Sequence, residues 1–379
     1  MKPNPDSIAT LLARATAVVD VRSPGEFAKG AIAGAVNIPL FSNQERAEIG
    51  TLYKALGKDT AVEKGLGLMG GKLGDFVSSF TPYKSGRLLI YCARGGMRSA
   101  SVVGLLGGLG FDVTQLPGGY KAFRAYLLER LESHLPPRLI VLHGQTGVGK
   151  TLLLRRLKNF LDLEDMAQHR SSVFGAMNLT PRTQQQFEAH LLAALGSLDY
   201  SRPVWVEGES RKIGSALMPE SLRRQMQTSP CVLVTASPGV RVARTVAEYG
   251  REDQSTRDQA EAALRSITRL LGTERTESLI ARVRAGDFES VAAELLEQYY
   301  DARYAHSMRD YTYALTLSSD DLDAAAATLE DFAARLHAGA ETPSGPEREP
   351  PKPPHAAPSP TAAGAGKRGK HLPISARST

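Results

Sequence analysis

Cysteines and long apolar runs are scarce in this chain, and each shortage excludes a class of protein. Two cysteines, Cys92 and Cys231, occur among 379 residues, which is too few for a disulfide-stabilised secreted scaffold. No apolar run approaches the roughly 20 residues that a helix needs to cross a bilayer. The polar start, MKPNPDSIAT, is not typical of a secretory signal. We therefore expect a cytoplasmic protein without a membrane partner, whose thiols stay reduced.

The charge is only mildly unbalanced, and much of the excess lies at one end of the chain. The net charge is +6, and residues 341–379 hold six Lys and Arg against three Glu, which is half of that excess. The remainder is mildly basic, which permits a nucleic-acid partner without requiring one. Residues 340–379 are rich in Pro, Ala, Gly and Ser. We predict a disordered tail there, because such a composition offers too few apolar groups to offset the entropy of ordering.

A glycine-rich loop in the middle of the chain has the spacing of a phosphate-binding loop. Residues 139–142 predict a buried strand, residues 144–151 read GQTGVGKT, and residues 152–161 predict a helix. The pattern G-x-x-x-x-G-K-[ST] in this context indicates phosphate binding, because glycines let backbone N–H groups converge on phosphate oxygens. Lys150 is expected to reach the terminal phosphate, and the Thr151 hydroxyl to face Mg²⁺ if one binds. The predicted phosphate-binding residues are Gly144, Gly147, Gly149, Lys150 and Thr151.

Two consecutive prolines divide the chain into two α/β domains. Pro136 and Pro137 follow a helical segment that neither residue can continue. We therefore predict a first domain over residues 1–135 and a second over residues 136–339. Residues 42–74 are charged and then glycine-rich, and we interpret them as an insertion in the first domain.

The second domain carries near-continuous apolar strands. Residues 203–207 and 231–235 have few polar positions, which is typical of parallel strands covered on both faces. From residue 240 onwards the pattern predicts mainly helices. The fold class is therefore α/β, with a parallel-sheet domain that ends in a helical part.

A cysteine at the end of a predicted strand has the surroundings of a nucleophile. Cys92 follows residues 87–91, and the spacing to Arg98 is C-x5-R. A loop of this size before a helix directs backbone N–H groups inward, and we expect this field, with the two arginines, to lower the pKa of the thiol. The alternative is a small buried cysteine that only packs in the core, and we assign that role to Cys231. The residues predicted to surround the Cys92 thiolate are Arg94, Gly95, Gly96 and Arg98.

Three stretches of the first domain resemble a rhodanese domain: DVRSPGEFAKGAIAGAVNIP, YCARGGMRSA and LPGGYKAFR. Loops of the C-x5-R kind also occur in cysteine phosphatases, but the first and last of these stretches are those of rhodaneses. The resemblance implies a rhodanese-like α/β fold whose thiol carries sulfur or selenium as a persulfide or perselenide. A P-loop NTPase-like domain follows it.

Eight stretches run in order through both domains: ERAEIGTLYK, LGLMGGKL, YCARGGMRSAS, LPGGYKAFR, GQTGVGKT, DLEDMAQHRSSVFG, VWVEGESRKIG and LEQYYDARY. Together they resemble one family, the tRNA 2-selenouridine synthases. This resemblance implies that wobble 2-thiouridine in tRNA is first alkylated by geranyl diphosphate, and that selenium from selenophosphate then displaces the S-geranyl group. It implies a selenophosphate-producing enzyme as supplier and no tightly bound cofactor or resident metal, although Mg²⁺ is compatible with it. Two positions depart from the usual pattern, Ser171 and Gly208.

Further polar residues are candidates for the same pocket, each with an alternative role. Glu207 and Glu209 fit a magnesium-bound water and a helix cap equally well. Two basic residues just beyond them could meet diphosphate or the tRNA backbone, or form a solvated turn. Arg241 and Arg244 fit phosphate contacts and a surface face equally well. The candidate pocket residues are His169, Arg170, Glu207, Glu209, Arg211 and Lys212.

Two other functions are compatible with these motifs. The phosphate loop alone favours an ATP- or GTP-dependent kinase fused to a sulfur carrier, although no clear Asp ends an apolar strand to hold the metal. The second is a non-catalytic scaffold that binds tRNA and relays sulfur or selenium. Activity without nucleotide separates the transferase from the kinase, and conversion by the purified chain excludes the scaffold.

Overall fold

The computed structural model describes residues 5–250, 253–303 and 311–337. Within these ranges the chain forms a four-stranded sheet, a five-stranded sheet and one small hairpin. The tail predicted over residues 340–379 lies outside the described residues. In the described part no helix is both long and apolar enough to cross a membrane.

The first sheet is parallel and has the strand order β2-β1-β3-β4. Its strands are β1 (Ala17–Asp20), β2 (Val36–Asn37), β3 (Arg87–Tyr91) and β4 (Asp112–Gln115). The helices around it are α1 (Pro5–Arg14), α2 (Pro24–Lys29), α3 (Asn43–Leu56), α4 (Lys58–Gly70), α5 (Leu73–Ser78), α6 (Met97–Gly108) and α7 (Gly119–Ser133), with a 3-10 turn at Thr81–Tyr83. The inner strand β3 is buried from its second residue onward, which explains its run of apolar residues.

Three helices, α3, α4 and α5, occupy most of residues 42–74, the predicted insertion. A capping box starts α3: the Ser42 hydroxyl accepts from the Glu45 amide at 3.2 Å, and the Glu45 carboxylate accepts from the Ser42 amide at 2.8 Å. Gly57, at φ +92°, separates α3 from α4. A positive φ favours glycine, so the chain can fold back there.

The second sheet is also parallel, in the order β11-β10-β5-β7-β6. Its strands are β5 (Leu139–His143), β6 (Phe160–Leu161), β7 (Val204–Glu207), β10 (Cys231–Thr235) and β11 (Tyr313–Ser318), and the hairpin is β8 (Lys212–Ile213) with β9 (Ala216–Leu217). The helices of this part are α8 (Lys150–Leu154), α9 (Leu163–Ala167), α10 (Gln184–Ser197), α11 (Glu220–Thr228), α12 (Pro238–Tyr249), α13 (Gln254–Ser266), α14 (Thr268–Leu271), α15 (Thr273–Arg284), α16 (Phe288–Leu295) and α17 (Leu322–His337), with a π-helical turn at Leu296–Tyr300. The central strand β5 leads directly into the predicted phosphate loop.

One local prediction was wrong, and one strand in the mainly helical part was not predicted. The helix predicted over residues 152–161 ends at Leu154, because Phe160 and Leu161 pair with β7 and must be extended. The region after residue 240 also contains a strand, β11, whose side chains alternate between half-buried and exposed at the sheet edge. Pairing with a neighbouring strand outweighed local helix propensity at Phe160, as tertiary context commonly does.

One apolar core joins the two parts of the chain. Helix α7 contributes Phe123, Leu127 and Leu131 to the same cluster that holds Leu139 of β5 and Phe187 of α10. A 2.6 Å salt bridge between Arg124 and Glu188 lies beside it. The two sheets are therefore covered in part by the same side chains.

Candidate functional site

The Cys92 thiol lies at the carboxyl end of β3, one turn before α6 begins. It is 3% exposed, and its sulfur is 3.1 Å from the Ser99 hydroxyl oxygen. Burial alone would raise the pKa of this thiol. Hydrogen bonds from the Ser99 side chain and from the backbone of Ser99, Arg94 and Gly96 outweigh burial and hold the pKa of Cys92 below its ordinary value. The thiolate form is thus favoured, in the direction that the sequence predicts.

The arginines of this loop do not supply that field in the expected way. Arg98 donates to the Glu26 carboxylate of α2 at 2.9 Å, so Glu26 offsets its charge. Arg94 is exposed, and it supports the thiolate through its backbone. The largest contributions that lower the thiol pKa thus come from hydrogen bonds and not from the two guanidinium groups. Ser99 takes that role, and its position in the first turn of α6 is the signal that sequence reasoning passed over.

Two glycines hold the thiol loop against the start of α7. Gly95 (φ +61°) and Gly119 (φ +57°) both have left-handed backbones, and a Cβ on Gly119 would lie 2.3 Å from the Cys92 carbonyl oxygen. The Tyr120 amide donates to that same carbonyl at 2.8 Å. The LPGG stretch therefore acts as the second wall of the thiol loop, which explains why glycine is required there.

The phosphate loop links β5 to α8. Gly147 and Gly149 have φ of +81° and +87°, and a Cβ on Gly147 would lie 2.9 Å from the Arg241 carbonyl oxygen. The Lys150 amino group donates to the Gly144 carbonyl at 3.0 Å, so its charge lies over the loop. This arrangement of glycines, lysine and helix start can bind a phosphate group.

Two arginines of α12 brace the phosphate loop from outside. Arg241 donates to the Thr146 carbonyl at 3.0 Å and forms a bidentate salt bridge with Asp301. Arg244 donates to the Val148 carbonyl at 2.8 Å. Both arginines bind carbonyl oxygens of the loop. Arg241 is buried, so the surface role does not apply to it. Both arginines position the loop, and their contact with phosphate stays a prediction.

Three carboxylates gather beside Lys150 and Thr151. Ligand oxygens of Glu164, Glu207 and Glu209 lie within 4.8 Å of one another, and Glu207, at the end of β7, is 2% exposed. Burial and the neighbouring Glu164 raise the pKa of Glu207 to about 8, while Lys150 opposes the shift. Burial likewise raises the pKa of Glu164 and of Glu209. Oxygen ligands of this kind suit a divalent cation. Sequence reasoning missed Glu164, which lies on α9, far from the other two in sequence.

The segment after α9 connects these carboxylates to α12. The Ser171 amide donates to Glu164, and Arg170 forms a salt bridge with Glu248 and lies 4.8 Å from the centre of the Tyr249 ring. His169 packs on the hairpin, since a Cβ on Gly214 would lie 2.5 Å from its ring. Arg170 therefore has a bracing role beside the pocket.

The structure also places four other residues that the sequence singles out, Arg211, Lys212, Cys231 and Gly208. Arg211 is exposed and Lys212 is half-buried, both at the start of the hairpin. Cys231 is buried in β10, where burial raises the pKa of its thiol to about 11. This value agrees with its expected role in packing. Gly208 faces His143, because a Cβ there would lie 2.6 Å from the imidazole ring, so the histidine occupies the space of a side chain at 208.

Two family models match this chain. The model described as "tRNA 2-selenouridine synthase AAA domain" matches residues 137–335, and the model described as "Rhodanese-like domain" matches residues 4–126. The first match contains the phosphate loop and the three carboxylates, and the second contains the thiol loop.

Curated relatives align along most of their own length. The tRNA 2-selenouridine synthase of Proteus mirabilis (strain HI4320) is 36% identical over 335 residues, which cover 80% of this chain and 91% of the relative. That of Cronobacter sakazakii (strain ATCC BAA-894) is 34% identical over 358 residues, covering 84% and 94%. That of Nitrosomonas europaea (strain ATCC 19718) is 31% identical over 341 residues, covering 86% and 85%. On these matches and on the two loops described above, the chain belongs to the tRNA 2-selenouridine synthase family of enzymes.

Proposed function

We propose that this enzyme replaces the sulfur of wobble 2-thiouridine in tRNA with selenium, through an S-geranylated intermediate. The proposed donors are geranyl diphosphate and selenophosphate, with a selenophosphate-producing enzyme as supplier. The observation that carries the proposal is a pair of anion sites of different chemistry in one chain. One is an activated thiol loop, and the other is a phosphate loop beside three carboxylates. The name of the relatives supports tRNA as substrate and 2-selenouridine as product.

The first step joins the thiouridine sulfur to the geranyl chain. A carbon–sulfur bond forms while the carbon–oxygen bond to diphosphate breaks, and the base loses a proton to solvent. We assign this step to the phosphate loop. Lys150 and the backbone N–H groups there suit a diphosphate leaving group, whose developing charge they would stabilise.

A magnesium ion fits the carboxylates next to this loop. Glu207 has a buried oxygen, Oε1, without a hydrogen-bond partner among the described residues, and its carboxylate interacts with the Thr151 side chain. Glu164, Glu207, Glu209 and Thr151 would hold the ion, since Mg²⁺ prefers oxygen ligands. When bound, the ion supplies charge neutralisation for the diphosphate.

The second step exchanges sulfur for selenium at C2 of the base. A carbon–selenium bond forms, the carbon–sulfur bond breaks, and geranylthiol leaves with a proton from water. The remaining hydroxide converts the phosphoryl group of selenophosphate into phosphate. We assign the transfer of selenium from selenophosphate to the Cys92 loop. The lowered pKa of Cys92 makes it the activated nucleophile of the rhodanese-like part.

Incubation with geranyl diphosphate alone, and then with both donors, tests this division. The purified chain is given 2-thiouridine tRNA, and wobble nucleosides are measured by mass spectrometry. Cys92→Ser should retain geranylation within about twofold and lose selenation by more than about a hundredfold. Cys231→Ser is the matched control and should retain both. Equal loss of both activities in Cys92→Ser would show that the division is wrong.

A nucleotide-dependent reaction is the second candidate, and one observation favours keeping it. Glu207 ends β7 beside Thr151, which is where P-loop NTPases hold their metal through an acidic residue. The sequence argument against a kinase, the lack of a strand-terminal Asp, is therefore weakened. Full turnover without added nucleotide would exclude this candidate, and stoichiometric nucleotide hydrolysis would support it.

A further inference from the structure

An apolar cavity begins at the phosphate loop and extends into the helical part of the chain. Its cavity volume is about 70 Å³, it opens to solvent at one side, and its walls are almost wholly apolar. Thr146 of the phosphate loop lines one end. Helices α12, α13, α15 and α16 and the segment that includes Ser172 line the rest. Most of its apolar side chains belong to a separate core cluster of this region.

Three hydroxyl groups in the cavity wall already have partners. The Thr245 hydroxyl donates to the Arg241 carbonyl at 2.8 Å, and the Ser172 and Tyr249 hydroxyls lie 3.4 Å apart. Burial raises the pKa of Tyr249 well above its ordinary value. A nucleobase needs hydrogen-bond partners in its pocket, whereas a hydrocarbon chain does not. The wall therefore suits a hydrocarbon.

Hydrogen bonds and salt bridges also connect the cavity wall to the phosphate loop and its neighbours. Arg241 joins the Thr146 carbonyl to Asp301, just beyond the π-helical turn that lines the cavity. Arg170 holds Glu248 and stacks on Tyr249 of the wall. A ligand with a diphosphate at one end and an apolar chain at the other would thus meet two surfaces held in fixed relation.

We propose that this cavity binds the hydrocarbon chain of the diphosphate donor and that its small side chains set the chain length. The inference rests on the proposed function, because it assumes that an alkyl diphosphate is the ligand of the phosphate loop. Ala260 and Ala292, which are 5% and 8% exposed, lie in the wall. Larger residues at these positions would shorten the available space.

Binding of three probes to the full-length chain tests this inference: inorganic diphosphate, dimethylallyl diphosphate with five carbons, and geranyl diphosphate with ten. Each buried methylene strengthens binding by about fourfold, so geranyl diphosphate should bind at least about tenfold tighter than inorganic diphosphate. Ala292→Leu should remove most of that gain for the ten-carbon probe. It should leave inorganic diphosphate within about twofold.

Ala333→Leu is the matched control, because Ala333 is 7% exposed and packs in a different core cluster on α17. It should leave the ratio of geranyl to inorganic diphosphate affinity unchanged. A second variant, Leu295→Ala, removes bulk from the wall and should raise the affinity for a fifteen-carbon diphosphate relative to the ten-carbon one. This second readout stays decisive if Ala292→Leu fails to fold.

The outcomes separate the two proposals. If geranyl diphosphate binds no tighter than inorganic diphosphate, the cavity assignment is overturned while the phosphate loop stands. If neither probe binds, the proposed use of the loop falls as well. Equal effects of Ala292→Leu and Ala333→Leu on the affinity ratio would also overturn the assignment, because they would show a general loss of packing.

Discussion

The thiol of Cys92 is activated by hydrogen-bond donors and not by nearby side-chain charge. Ser99 contributes its hydroxyl, and Gln115 in turn donates to Ser99 at 2.8 Å and to the Gly95 carbonyl at 3.0 Å. Hydrogen bonds to the charged form lower an acid's pKa even where burial raises it. The reactivity of this residue therefore depends on the local backbone, and salt should screen it only weakly.

Removing the Ser99 hydroxyl should make the thiol less acidic. The hydrogen bond favours the thiolate, so Ser99→Ala should raise the pKa of Cys92, and the thiolate fraction near neutral pH should fall. We expect the alkylation rate near pH 7 to drop by about threefold to tenfold and to recover as pH rises. Iodoacetamide labelling against pH, followed by peptide mapping, measures this for Cys92 alone.

Ser101→Ala is the control for that experiment, because Ser101 is exposed on the same helix. Its labelling profile should match that of the unmodified protein. Cys231 should label slowly in all three proteins, since burial raises its pKa to about 11. An unchanged profile in Ser99→Ala would contradict the assigned role of the hydroxyl.

Glu207 is the residue on which the proposed magnesium site depends most. Its carboxylate is buried and one of its oxygens is unpaired among the described residues. Glu207→Gln should abolish the strengthening of inorganic diphosphate binding by Mg²⁺, an effect we expect to be about tenfold or more in the unmodified protein. Calorimetric titration with and without Mg²⁺ measures it.

Glu129→Gln on α7 removes an exposed carboxylate and serves as the charge control. It should keep the full magnesium effect. A normal magnesium effect in Glu207→Gln would exclude this residue as a ligand. Diphosphate binding that is indifferent to Mg²⁺ in the unmodified protein would exclude the site altogether.

At the scale of the elements, the thiol loop and the start of α7 form one unit. Gly119→Ala would place a Cβ against the Cys92 carbonyl at a positive φ. We expect a loss of about 2–4 kcal/mol in the free energy of unfolding and a loss of selenation, with diphosphate binding retained in the protein that remains folded. Urea unfolding and the two-donor assay measure these effects.

Gly104→Ala is the matched control for this prediction. Gly104 lies within α6, and a Cβ there would meet nothing within 4 Å. Alanine favours helix more than glycine does, by about 1 kcal/mol, so stability should stay the same or rise. Equal destabilisation by both substitutions would show that the close approach at Gly119 is unimportant.

Elements with a strong hydrophobic pattern could be predicted from the sequence. Elements that form only by pairing with a distant segment could not. The strands at Leu139–His143 and Cys231–Thr235 carry apolar runs that only a doubly covered sheet explains. The short strand Phe160–Leu161 exists because β7 offers it hydrogen bonds, and no local signal marks it. Glu164 was not predicted as a site residue for the same reason, since the fold brings it to Glu207 from a distant segment. Short motifs were enough to predict both loops, because the expected function of each loop depends on backbone N–H groups within the motif itself.

At the scale of the whole molecule, the shared core predicts that the two parts unfold together. Trp205, the one tryptophan of the chain, is buried in β7 of the second sheet, and Cys92 is buried beside the first. Because α7 packs into one cluster with β5 and α10, tryptophan fluorescence and Cys92 labelling should report coincident transitions in urea.

Leu127→Ala tests the coupling directly. Leu127 is 0% exposed in the shared cluster, so its truncation should cost about 2–5 kcal/mol and shift both transitions by the same amount. Leu106→Ala extends the test, since Leu106 is equally buried but packs only in the cluster of the first sheet. In one cooperative unit it should also shift both transitions, whereas a shift of the Cys92 labelling transition alone would show that the parts unfold independently. If the two probes separate in the unmodified protein, the parts are independent in stability, and the shared core is only an interface. Coincident transitions would instead mean that the thiol loop and the phosphate loop belong to one cooperative unit and are lost together.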